Sequence, residues 1–319
     1  MIFFFYIHST WLKFSFMIYF YYKDRMCSKM LFSKDRRDAK RVKNITGMNQ
    51  IMIDLKPNRC DSDVYINQKF DVTKLVKYVE KKKKQGEEIT YFHAFVTALG
   101  KTMYNRPQLN RFVANRHVYL HNELIISFVA KISFDDKSEE MMLMVPIDDK
   151  DNIFSISNKI KEMVNKIRNK KSVQKEGANS AIDILGRLPN ILRVPVVGLL
   201  KWMDQRDLLP KDLIKDNLYY SSLIVSNLGA IKCGAIYHNL TNFGTASSLA
   251  TMGEIKDELI IVNGKKEVRK LVEFGVNLDE RIADGYYMAK ALQLLQYFFD
   301  NPEMLEDDIA KDFEVKENR

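Results

Sequence analysis

The sequence predicts an α/β domain, a mixed β-sheet covered by helices, and three observations predict it. Apolar strand-like runs at Glu123–Phe134, Ser221–Asn227 and Val268–Val276 are interleaved with helical patterns at Val72–Lys84, Thr90–Tyr104 and Ile153–Arg168. Elements in that order bury their apolar faces by packing helices on a sheet. The chain has 319 residues, 46% of them hydrophobic, which is enough for a sizeable core. Charged residues at 29% and aromatics at 11% are ordinary for a globular protein, so neither a disordered nor a fibrous class is indicated.

The formal charge of +9 raises the question of anionic partners. Its densest run, Lys81–Lys84, falls at a predicted helix C-terminus, where cations offset the macrodipole, so a nucleic-acid patch is not expected. Cys27, Cys60 and Cys233 are an odd count with no C-x-x-C spacing. That argues for a reducing, cytoplasmic setting and against a disulfide framework or a zinc site. Glycine-rich nucleotide-binding loops are absent as well.

Three segments are expected: 1–34, 35–305 and 306–319. In the first, Ile2–Tyr22 is apolar, aromatic and long enough to span a bilayer, with Lys23, Arg25 and Lys29 behind it. His8, Ser9, Thr10, Lys13 and Ser15 interrupt it, which favours the other reading, a start codon set too early with translation beginning at Met26 or Met30. The central segment is the domain, and the last a charged tail that frays.

Within the domain, Met48–Pro57 and Asp63–Asn67 read as short strands around the turn Pro57-Asn58-Arg59. Val72, Leu75, Val76 and Val79 mark one helix face, and Thr90 is placed to N-cap the next helix, which Pro107 ends. His93, at that helix start, reads as a core or cap residue. His117–Leu120 and Met141–Pro146 complete the central strands, and Asn169–Ser180 reads as a polar linker. Ile182–Leu209 is apolar and loosely helical, broken by Pro189 and Pro195. Its ordinary reading is a helix covering the core, with a membrane-surface helix as the alternative. Asn263-Gly264 predicts a hairpin turn before the strand that ends at Val276.

That strand leads into Asn277–Gly285, N-L-D-E-R-I-A-D-G, and then a helical run from Tyr286. A charged cluster between strand and helix is a common place for chemistry. The stretch resembles the D-H-R-x-x-D-G signature of the acyltransferase catalytic domain of 2-oxo acid dehydrogenase complexes, with its shorter H-x-x-x-D-G relative in chloramphenicol acetyltransferases. Asp279, Arg281, Asp284 and Gly285 fall on the pattern, while Glu280 stands at the histidine position. Val225–Gly229, V-S-N-L-G, resembles the end of the family's F-T-I-S-N-L-G strand, and Arg106-Pro107-x-Leu109-Asn110 its R-P-x-L-N turn. Asn242-Phe243-Gly244 stands where the family has N-P-P, without the prolines.

The resemblance implies a chloramphenicol acetyltransferase-like fold, a homotrimer with sites between subunits, and coenzyme A as the acyl carrier, which a basic surface suits. It covers about Asp35 to Leu305, and no lipoyl-lysine motif or Ala/Pro-rich linker precedes it, so a free-standing domain is expected. It also implies roles: Ser226 as the hydroxyl that stabilises the oxyanion from a neighbouring subunit, Asp284 as organiser, and Glu280 where the base belongs. Glutamate has a pKa of about 4.3 against roughly 6.5 for histidine. It is a weaker base for a thiol unless buried, and as an anion it repels a developing thiolate. Three readings stay open: a working enzyme with Glu280 as base, an enzyme with its base elsewhere (His238 is the nearest histidine in sequence), and a non-catalytic binding protein. Glu280 paired with Arg281 or Lys290 would be a structural replacement. Ser221 and Ser222 lack a nucleophile setting, and Asp148-Asp149 is not read as a metal site; none is expected.

Overall fold

The computed structural model describes residues 35–131, 140–169, 185–214 and 217–311. The apolar N-terminal run and the predicted linker beyond Asn169 lie outside the described residues.

Two sheets form among them. The larger holds β2 (Asp63–Asp71), β5 (Leu124–Lys131), β6 (Glu140–Ile147), β7 (Leu223–Asn227), β8 (Ser248–Met252), β9 (Lys256–Val262) and β10 (Lys265–Asp279). Its order is β2-β10-β8-β7-β5-β6, with β9 paired to the outer half of β10. Strand β7 runs parallel to β5 and β8, whereas the other pairs are antiparallel, so the sheet is mixed as the sequence predicts. A small sheet of β1 (Ala39–Arg41), β4 (His117–His121) and β3 (Arg111–Ala114) flanks it.

The β9–β10 hairpin turns at Asn263 and Gly264, both with positive φ (49° and 78°). That is the backbone a two-residue hairpin turn needs, and Asn-Gly supplies it at low cost. Strand β10 then runs for fifteen residues. Its first half alternates in and out of solvent beside β9, and its second half is buried between β2 and β8.

The helices are α1 (Gly47–Leu55), α2 (Thr73–Lys84), α3 (Tyr91–Asn105), α4 (Ile153–Asn169), α5 (Asn190–Gln205), the single turn α6 (Lys211–Ile214) and α7 (Gly285–Asp300). Thr90 caps α3 as expected, and His93 returns the bond in a capping box. Helix α3 is buried almost all round, which fits its continuous apolar and small-residue face. Phe95 of this helix joins Phe70, Phe274 and Phe299 in an edge-to-face cluster, centroids 5.1–5.7 Å apart for the four closest pairs, a geometry the aromatic quadrupole favours.

Two local expectations are corrected. Met48–Pro57 is helix α1 and not a strand: Thr46 caps it by accepting from the Asn49 N–H, and Ile53 alone is buried. Strand-like composition there reflects apolar residues that stay on the surface. Helix α5 does form across Pro195, but it does not cover the core, since only Asp204 of its residues is buried. The chain past Leu305 remains docked as far as Lys311, because Ile309 is fully buried and the buried Lys101 ammonium donates to the carbonyls of Met304, Asp307 and Asp308.

Candidate functional site

The site is built where β10 ends. Asp279 is completely buried at the last strand position and takes a two-pronged bond from Arg281, Nε to Oδ1 at 2.8 Å and Nη2 to Oδ2 at 2.7 Å. Arg281 also donates to the carbonyls of Lys56 and Pro57 (2.8 and 3.1 Å), which fixes the chain leaving α1 against the motif. A second buried guanidinium, Arg59, lies 3.9 Å from Asp279. It reaches the carbonyls of Thr241 and Gly244 at 2.7 and 2.9 Å, while Asn242 Oδ1 accepts from the Arg59 N–H at 2.6 Å. Burial pushes Arg59 below its ordinary pKa, Asp279 pulls it back up and Arg281 adds to the depression. Burial raises the Asp63 carboxyl beside them.

With that framework fixed, Glu280 is the only residue of Asp279–Ala283 that is not buried. Its N–H donates to the Ser62 carbonyl at 3.0 Å. Its carboxylate is ion-paired and hydrogen-bonded with the Lys56 ammonium, each side chain about a third exposed. Lys56 thus takes the role that the sequence offered to Arg281 or Lys290, because Arg281 is committed to Asp279. Asp284 accepts from the Tyr287 N–H at 2.8 Å and N-caps α7. It has no ion pair among the described residues.

Ser226 sits near the end of β7, partly exposed, and its hydroxyl makes no hydrogen bond among the described residues. It is level with Thr251 of β8, which is level with Gly275 of β10. Glu280 lies five residues further along, so roughly 17 Å separate the two positions along the strands. One chain does not bring Ser226 to Glu280.

Between these levels a loop crosses the outer face of the sheet. Ile236 exchanges bonds with Thr251 Oγ1 over Gly275, Tyr65 OH donates to Asn239, and the Leu240 N–H reaches Asp63. The loop needs Gly275, where an added Cβ would stand 2.4 Å from the Ile236 carbonyl oxygen. His238 lies in this loop, exposed. Beneath it Asn277 is fully buried, and neither its amide oxygen nor its nitrogen is bonded to protein. At the Glu280 end of the sheet, a cavity of about 510 Å³ is lined by Arg37, His121, Lys211, Ser222 and Thr245 among others.

Sequence reasoning missed Lys56, Arg59, Asn277 and the cavity. Arg59 sits in an unremarkable turn, P-N-R-C-D, and no local pattern marks it. Asn277 carried the one usable signal, a polar residue in an apolar strand run. Among the described residues no group of three or more His, Cys, Asp or Glu is placed to hold a metal ion.

A mixed sheet entered by a D-x-R-x-x-D-G strand–turn–helix is the architecture of the chloramphenicol acetyltransferase-like class. Residues 41–187 match the family model of the 2-oxoacid dehydrogenases acyltransferase (catalytic domain). A probable dihydrolipoamide acetyltransferase from Listeria monocytogenes is similar at 18% identity, over 86% of this chain and 98% of that one, with a TM-score of 0.54. The dihydrolipoamide acetyltransferase of Azotobacter vinelandii is similar at 14% identity, over 83% and 94%, also with a TM-score of 0.54. A chloramphenicol acetyltransferase is similar at 11% identity, over 82% and 99%, with a TM-score of 0.50. No curated protein matches the chain. The resemblance read from the motifs is borne out in family match and fold. The family match covers somewhat less than half of the chain; it includes the Arg106–Asn110 turn and ends before Val225–Gly229 and Asn277–Gly285.

Proposed function

We propose that this protein transfers an acyl group from coenzyme A to a small acceptor, as a homotrimer whose sites combine Glu280 of one subunit with Ser226 of the next. The observation that carries this reading is the fixed turn at Asp279–Ala283, in which only the side chain at the base position is presented. The separation of Ser226 and Glu280, roughly 17 Å along the strands, supports a composite site, since each is partly exposed yet out of the other's reach.

In the reaction, the acceptor's thiol, hydroxyl or amine attacks the thioester carbonyl as Glu280 removes its proton. The Ser226 hydroxyl donates to the oxyanion. Collapse breaks the C–S bond, and the proton passes to the departing thiolate. Lys56 offsets the negative charge of Glu280, which lessens repulsion of the anionic transition state. A positioned base is worth roughly 10²–10⁴ in rate and one oxyanion donor about 2.7–4 kcal/mol.

The same ion pair favours a second reading, a trimer that binds a coenzyme A thioester without turning it over, because Lys56 already holds the carboxylate. Release of free thiol from acetyl-coenzyme A, measured with a panel of thiols, amines and alcohols, separates the two. Turnover that falls at least a hundredfold in Glu280→Gln and Ser226→Ala supports the enzyme. Equal release by all three proteins rejects it. Activity gained only in Glu280→His assigns the scaffold to a lost enzyme.

A further inference from the structure

Helix α5 leaves most of its apolar side chains in solvent. Its side turned toward the protein carries the half-buried Arg193, Val196, Leu200 and Met203 and the buried Asp204. Its outward side carries Ile191, Val194 and Trp202, exposed by 82%, 66% and 45%, with Leu192, Val197 and Leu199 beside them. None of the helix's apolar residues joins a core cluster of the domain. A helix on the surface of a globular protein ordinarily turns a polar face to water.

The helix is held firmly at one end. Asp204 accepts from Tyr220 OH at 2.6 Å and the Gly244 N–H at 2.9 Å, and its carbonyl accepts from Arg36 at 3.0 Å. Its polar complement is cationic: Lys201 and Arg206 are exposed at its end, Arg187 is exposed ahead of it, and its single acid is buried. Trp202 sits under the Arg206 guanidinium, 4.4 Å from centroid to carbon. An exposed apolar stripe edged by Lys and Arg, with a tryptophan among them, is the composition of a helix that lies in the headgroup region of a membrane. At sixteen residues it is about 24 Å long and does not cross one.

One further observation selects the partner. Facing α5 helices from two copies would set Lys201 and Arg206 against other cations, whereas an anionic surface complements them.

We infer that α5 docks the protein on an anionic lipid surface, with Ile191, Val194 and Trp202 inserted among the headgroups. The test is flotation of the full chain with vesicles of phosphatidylcholine alone, and with roughly one part in four phosphatidylglycerol. The Ile191→Ser/Trp202→Ser double variant changes only exposed positions, so its fold should persist, as circular dichroism checks. The expected result is binding to the anionic vesicles that falls at least tenfold in the double variant. In Trp11→Phe, which leaves Trp202 as the only tryptophan, emission should shift to the blue on adding those vesicles. Three results overturn the inference: equal binding of wild type and double variant, which would assign attachment to other residues; no shift of Trp202 emission; or loss of the wild-type oligomer in the double variant, which would make the face a contact between copies.

Discussion

The ammonium of Lys56 is ion-paired with the carboxylate of Glu280 across 224 residues of chain. Both side chains are about a third exposed. The pair therefore adds little to stability, and Lys56→Met is expected to cost less than about 1 kcal/mol in urea unfolding. If Lys56 screens Glu280 during turnover, the same variant lowers kcat while leaving the fold intact. Steady-state thiol release beside the unfolding curve checks both.

Asp279 is a different case, since it is fully buried between two guanidinium groups. Asp279→Asn leaves Arg59 and Arg281 facing each other without their counter-charge. Breaking a buried pair in this way costs about 3–5 kcal/mol, which should appear as a large fall in the unfolding midpoint.

Asp284 caps α7 and carries no ion pair among the described residues. Asp284→Ala is expected to cost about 1 kcal/mol, the usual loss of a cap, and Asp284→Ser to recover most of it. Recovery by serine distinguishes capping from a need for negative charge. Thermal unfolding of the two variants measures it.

Gly275→Ala would drive a methyl group into the Ile236 carbonyl and Thr251 Oγ1, at 2.4 and 2.9 Å. The loop over the sheet must then lift, at about 1–3 kcal/mol. Faster proteolysis between Cys233 and Gly244, with the sheet intact by circular dichroism, is the expected signature.

Two histidines set an acid limit. Burial, aided by Lys161 and Lys83, draws His93 down to about 4, and burial draws His121 down to about 4 as well. In the unfolded chain both titrate near 6.5, so between those values the unfolded state binds more protons than the native one. Stability is full above about 6.5 and falls as the pH drops toward 4, by about 1.4 kcal/mol per pH unit for each histidine. Urea midpoints at several pH values should show this slope, and His93→Gln should lessen it.

Much of the fold was legible because periodicity and caps are local. Val72–Lys84, Thr90–Tyr104 and Ile153–Arg168 announce helices by their apolar spacing, and Asn263-Gly264 announces its hairpin by the φ values it tolerates. Met48–Pro57 misled because its apolar residues, Met48, Ile51 and Leu55, stay exposed on a helix, so their pattern reflects no buried face. Helix α5 misled for the same reason: hydrophobicity predicts burial only when something covers it, and the covering is decided elsewhere in the chain.

The sequence by itself determined the strand–turn–helix at Asn277–Gly285, the family it resembles and the loss of its histidine, because each is written in adjacent residues. The tertiary structure alone decided what surrounds Glu280. Lys56, Arg59 and the Asn242 loop all reach the motif from more than thirty residues earlier in the chain. A charge's partner depends on where the backbone carries each side chain, and only the folded sheet brings Asp63, Asp279 and the end of α1 together.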